Sequence, residues 1–83
     1  MQHQLVLPRR AQKELARIDK RYYARILLAL KYIASNPYDG KRLFGEHKGE
    51  LSYRVWPYRI IYRIKRKDRV VLVVHVGHRQ GVY

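Results

Sequence analysis

Three arginines, Arg54, Arg59 and Arg63, stand among aromatic and branched apolar side chains in the stretch SYRVWPYRIIYRI, residues 52 to 64. A strand that only filled a core would not carry them. A guanidinium is a planar fork of N–H donors that stays protonated and matches the oxygens of a phosphate group. Downstream, His75, His78, Arg79 and Tyr83 add two imidazoles, another guanidinium and a terminal phenol. His75-x-x-His78 has the spacing of a metal pair but no third ligand of suitable type nearby, so it reads as ordinary solvated or hydrogen-bonded histidine, and no metal is expected.

Strand side chains alternate between faces, which sorts these residues. Tyr58, Ile60, Tyr62 and Ile64 make one side of their strand, and Arg59, Ile61 and Arg63 the other. On the preceding strand Leu51, Tyr53 and Val55 oppose Ser52 and Arg54, so Arg54 and Arg59 are expected to share a face. In the last strand Val70, Leu72, Val74 and Val76 are expected in the core, leaving Val71, Val73 and His75 opposite. That second face would hold phosphate by its arginines and pack sugar or base on a floor of Ile61, Val71 and Val73. Arg63, taken alone, reads equally as an arginine on a solvated sheet, and a terminal tyrosine is commonly a frayed end.

The elements that position these residues follow from periodicity. Gln4 to Leu7 is a short strand candidate, and Pro8 suits the first turn of a helix. Leu7, Ala11, Leu15 and Ile18 then line one helical face. The opposite face carries Arg9, Arg10, Lys13, Arg17 and Lys20, a cationic stripe for water or an acidic partner. After a break around Asp19 and Lys20, a second helix runs to about Ser35, with Tyr22, Ile26, Leu30 and Ile33 as its buried stripe and Leu27 and Ala34 broadening it. SNPYDG ends it, because the residue before Pro37 is pushed out of the helical region.

Residues Lys41 to Glu50 read as loop, and three strands follow, at Leu51 to Val55, Tyr58 to Lys65 and Arg69 to Val76. The charged KRKDR run between the last two is a solvated hairpin turn. The order β-α-α-β-β-β predicts an α+β fold: a small, mostly antiparallel four-stranded sheet with an N-terminal helical hairpin packed on one face.

Composition bounds what such a fold does. The chain has 83 residues, which predicts a single domain over residues 1–83. Nineteen Lys and Arg against six Asp and Glu give a formal net charge of +13. Self-repulsion on that scale implies a polyanionic partner: nucleic acid, an anionic membrane or an acidic protein. No stretch reaches the ~18 consecutive apolar residues of a spanning helix, and no signal-peptide pattern opens the chain, so a cytoplasmic location is expected. The absence of cysteine fits a reducing compartment and removes thiolate chemistry and the common zinc patterns.

YRIIYRI, a turn, a valine-rich strand and VGHRQGVY, together with LSYRV and the helical hairpin, resemble the RelE branch of the RelE/ParE toxin superfamily over nearly the whole chain. The resemblance implies a toxin of a type II toxin–antitoxin module that cleaves messenger RNA in the ribosomal A site and is neutralised by a cognate antitoxin. It implies no metal or other cofactor. By position, Arg59 matches the arginine that contacts the scissile phosphate, Arg79 a second that stabilises its developing charge, and Tyr83 the tyrosine that orients the reacting nucleotide. Arg54 matches a basic position on the preceding strand. At Ser52 the pattern departs, since the best-studied branch has lysine there.

The expected reaction is attack of the ribose 2′-OH on the adjacent phosphorus, giving a 2′,3′-cyclic phosphate and a 5′-OH. Two guanidinium groups aimed at the phosphoryl oxygens would each contribute ~10²–10³ in rate. His78, beside Arg79, is the first candidate for proton transfer, with Glu46 and Glu50 as others. The helical stripe of Arg9, Arg10, Lys13, Arg17 and Lys20 is the expected contact with ribosomal RNA. Three alternatives stand beside this reading: a ParE-like inhibitor of DNA gyrase on the same fold, a basic nucleic-acid-binding module without chemistry, and, on the departure at Ser52, an inactive toxin.

Overall fold

The computed structural model describes residues 3–78. Strand β1 (Gln4–Val6) leads into α1 (Arg9–Ala16), which starts directly after Pro8, where a missing N–H costs nothing. A short turn separates it from α2 (Lys20–Ser35). Asp19 caps α2: its carboxylate accepts from the backbone N–H of Arg21 at 2.9 Å. The same Asp19 offers its own N–H to the Tyr58 hydroxyl at 3.3 Å, tying the start of α2 to the sheet.

After α2 come β2 (Lys41–Arg42), β3 (Leu51–Val55), β4 (Tyr58–Lys65) and β5 (Val70–His78), with the β3–β4 turn made by a cis Trp56–Pro57 peptide. The five strands lie in the order β1-β5-β4-β3-β2. Among the described strands only β1 is parallel to its neighbour, because the helical pair carries the chain between β1 and the rest. The α+β class, the helical hairpin and the antiparallel β3-β4-β5 meander match expectation. The sheet has five strands rather than four, since Lys41 and Arg42, expected in a loop, pair with Ser52 and Leu51. A strand of two residues carries no readable alternation.

The core lies between the helices and one face of the sheet. Ile26, Leu30 and Ile33 of α2 meet Ile60 and Tyr62 of β4 and Val71, Val73 and Val76 of β5. Each fully buried branched side chain there contributes roughly 1.5–3 kcal/mol. Two expectations fail at this interface. Leu27 is 42 % exposed, and the buried stripe of α2 widens through Ala29 instead.

The second failure is the core set of β5. Val71 and Val73 are fully buried among the core residues, whereas Leu72 and Val74 are only half-buried. A bulge is the cause: Ile61 pairs with His75 while Tyr62 pairs with Val73, leaving Val74 as an extra residue. One inserted residue reverses the alternation, so the odd-numbered valines face the core before it and Val76 faces it after.

At the far margin of β5, beyond its pairing with β1, the Val76 N–H has a side-chain acceptor. Glu14 of α1 takes it at 3.0 Å through Oε1 and approaches His75 Nδ1 at 3.3 Å through Oε2. The carboxylate thus satisfies an edge donor that no described strand reaches.

Candidate active site

The β3–β4 hairpin determines where Arg54 and Arg59 go. Val55 pairs with Tyr58 and Tyr53 with Ile60, and these four face the helices. Arg54 and Arg59, paired with each other between them, must therefore project together from the opposite face. Like charges directly across a ladder destabilise it by roughly 0.2–1 kcal/mol, so this placement favours an anion between or above them.

Both arginines line a cleft of about 420 Å³ with Asp39, Lys41, Ser52 and Tyr53. Lys41 enters because its Cα partner on β3 is Ser52, which puts both on the face of Arg54 and Arg59. Asp39, the one carboxylate of that lining, accepts a hydrogen bond from the Tyr32 hydroxyl, which raises the phenol above its ordinary range. The balance of Lys41, Arg54 and Arg59 against Asp39 is positive, as a site for phosphate requires.

The segment leading to Lys41 is fixed from below. Tyr62 is fully buried, and its hydroxyl donates to the Pro37 carbonyl at 2.8 Å. Burial pushes that phenol up to about 12. Gly40 sits so close over the same ring that a Cβ there would meet Tyr62 Oη at 2.2 Å. The chain therefore passes from Pro37 over Tyr62 into β2 with little room to move. Lys41 escapes sequence reasoning because residues 41 to 50 read as loop; the only signal was the glycine just before it.

Other residues singled out by sequence fall elsewhere. Arg63 lies 3.9 Å from Glu50, and Glu50 is held at 3.0 Å by His47, so these three form a small ion-pair group toward the other end of β4. Glu46 is exposed on the 3-10 turn Gly45–His47. Of the expected apolar floor, Val71 and Val73 belong to the core beneath the helices, and Ile61 is fully buried.

His78 is the Cα partner of Tyr58, with ring centroids 5.9 Å apart, and Tyr58 packs against the core and against Tyr22 of α2. The last strand, expected to end at Val76, runs on through His78, and the imidazole falls on the helix side, away from Arg54 and Arg59. His75 is engaged by Glu14. Arg79 and Tyr83 lie outside the described residues.

Arg9, Arg10, Lys13, Arg17 and Lys20 are all exposed, the first three on α1, Arg17 at its C-terminal cap and Lys20 opening α2. Helix α1 packs on β5, whereas the cleft lies over β2, β3 and β4. The two cationic regions are therefore separate. Among the described residues no group of three or more His, Cys, Asp or Glu could hold a metal ion. No described helix is long and apolar enough to cross a membrane.

The two-helix layer over a short antiparallel meander is the architecture of a toxin of the RelE/ParE type. The chain belongs to the family described as ParE toxin of type II toxin–antitoxin system, whose model matches residues 5–83. Among solved structures it is similar to the toxin–antitoxin complex RelBE2 from Mycobacterium tuberculosis, with 27% identity, 95% of this chain and 100% of that chain covered, and a TM-score of 0.87. It is also similar to the isolated RelE toxin of E. coli, with 22% identity, 92% and 83% coverage and a TM-score of 0.80. The archaeal RelE–RelB complex from Pyrococcus horikoshii gives 24% identity, full coverage of both chains (100% each) and a TM-score of 0.78. No curated protein matches the chain.

Proposed function

We propose that this toxin is a ribosome-dependent endoribonuclease that cuts messenger RNA in the A site, leaving a 2′,3′-cyclic phosphate and a 5′-OH. The observation that carries this reading is the cleft on the helix-free face, where Arg54 and Arg59 stand directly opposite one another beside Lys41 and Ser52. As the 2′-oxygen attacks, negative charge grows on the non-bridging phosphoryl oxygens. Fixed guanidinium donors at that point bind the transition state more tightly than the ground state. Arg59 contacts the scissile phosphate, Arg54 shares its charge, and Arg79 and Tyr83 complete the site by stabilising the phosphorane and orienting the nucleotide.

The exposed stripe from Arg9 to Lys20 supplies a second, sequence-independent hold on ribosomal RNA. The cognate partner is an acidic antitoxin. It neutralises a domain of net charge +13 and blocks its cleft, in keeping with the antitoxin complexes among the similar structures.

Inducible expression in a bacterial host with primer-extension mapping tests the reading. Codon-phased cuts that vanish in Arg59→Ala are expected, while Lys13→Ala weakens ribosome binding and leaves the cut pattern intact. The family match to ParE toxins supports a second reading, binding of DNA gyrase without chemistry on RNA. Growth arrest with intact transcripts, and loss of gyrase supercoiling with purified protein, would select it.

A further inference from the structure

A transesterification of this kind needs a proton delivered to the leaving oxygen as well as charge stabilisation. The residues that sequence put forward do not supply it from within the cleft. His78 faces the helices beside Tyr58, Glu50 is held by His47 and Arg63, and Glu46 is exposed on the Gly45–His47 turn, outside the lining of the cleft. Within the cleft, Asp39 is taken by Tyr32, the Tyr53 ring packs on Tyr32 toward the helix side, the Ser52 hydroxyl is buried and a poor acid, and Arg54 and Arg59 are guanidinium groups that do not give up a proton.

Lys41 remains. Its register with Ser52 aims it at the face of the paired arginines, and the Tyr62–Pro37 bond and the close pass of Gly40 fix the backbone immediately before it. Among the described residues its ammonium forms no ion pair. A lysine differs from its arginine neighbours in the one respect that matters here: it can release a proton and regain it from water.

We propose that Lys41 is the general acid of this site. The assignment rests on the nuclease reading above. The ribose 2′-OH gives its proton to water, and the 2′-oxygen forms a bond to phosphorus. The P–O5′ bond breaks with its electron pair on the 5′-oxygen, which takes a proton from the Lys41 ammonium; solvent then reprotonates the amine. Atoms and charge balance with no other reactant.

The test compares single-turnover cleavage of two ribosome-bound messages, one with an ordinary scissile linkage and one with a 5′-bridging sulfur, whose thiolate leaves without needing a proton. On the ordinary message Lys41→Ala is expected to be slower by ~10²–10⁴. Lys41→Arg, which keeps the charge but not the transferable proton, is expected to be as slow. On the sulfur message both variants should approach the wild-type rate. Ser52→Lys added to Lys41→Ala should restore part of the ordinary activity, because the cross-strand neighbour enters the same cleft. Thermal midpoints of the exposed Lys41 variants should match wild type.

Full activity of Lys41→Arg on the ordinary message would reduce Lys41 to a charge and overturn the assignment. Equal losses on both messages would do the same. In either case a wild type that cuts leaves the nuclease reading intact, whereas a wild type that cuts neither message overturns both.

Discussion

Replacing Gly40 by alanine measures how firmly the start of β2 is held. The glycine has φ −72° and ψ 160°, a conformation open to any residue. On backbone grounds alone, then, alanine should stabilise by about 0.4–1 kcal/mol through the unfolded chain. Sterics oppose this. The new Cβ would stand 2.2 Å from Tyr62 Oη, 2.9 Å from its Cζ and 3.2 Å from Leu51 Cβ. The ring cannot swing aside without breaking the hydroxyl's bond to Pro37 and disturbing a fully buried site.

Overpacking of that kind costs about 1–3 kcal/mol, so at the middle of both ranges the net effect should be a loss of about 1.3 kcal/mol. In a domain of this size that lowers the melting midpoint by roughly 5–10 °C. Urea and thermal unfolding of Gly40→Ala, Tyr62→Phe and the double variant form a cycle. Because phenylalanine removes the closest atom, the double variant should be less destabilised than the sum of the singles by at least about 0.5 kcal/mol. A Gly40→Ala protein as stable as wild type, or strictly additive losses, would refute the close-contact argument.

Three further outcomes are expected. Tyr62 has a folded-state value pushed up to about 12, above the ordinary 10.0 of an unfolded chain. Its contribution is therefore complete below pH ~10 and lost as pH rises toward 12; urea stability of wild type should fall on the order of 2–3 kcal/mol further than that of Tyr62→Phe over this window, and parallel curves would contradict it. Glu14→Ala strands the Val76 N–H, which should cost about 1–2 kcal/mol and speed amide exchange at Val76, an effect read by NMR against neighbouring β5 amides. Asp19→Ala removes the cap of α2 and should lower the melting midpoint, with Asp19→Ser restoring most of it. The hydrogen bonds from Arg21 hold the Asp19 carboxyl below its ordinary range, so the gap between wild type and Asp19→Ala should close as pH falls through that lowered value.

The parts of the molecule that sequence made legible are those with a clean period and one buried face. The stripe of Ile26, Leu30 and Ile33 and the alternation of Tyr58 to Ile64 placed α2 and β4 correctly, and with them the shared face of Arg54 and Arg59. VVLVVHV was not legible in the same way, because valine at nearly every position hides which residues are core and gives no sign of an inserted one. His78 was put forward for its imidazole and its adjacency to Arg79 in the chain, but its pairing with Tyr58, a tertiary fact, turns it to the helix side. Lys41 was invisible for a different reason: its position depends on pairing with Ser52, a tertiary fact that two residues cannot announce.

The extra residue at Val74 has a bearing on folding fidelity. A regular strand can slide along its neighbour by two positions and still present apolar groups inward, so misaligned hairpins compete with the right one. Here the inward parity differs on the two sides of the insertion, and a slipped β4–β5 pair that buried Val71 and Val73 would misplace Val76 or leave the irregularity with no partner to absorb it. The kink acts as a key cut for a single alignment, and the hairpin that carries Arg59 is thereby set against one neighbour in one way.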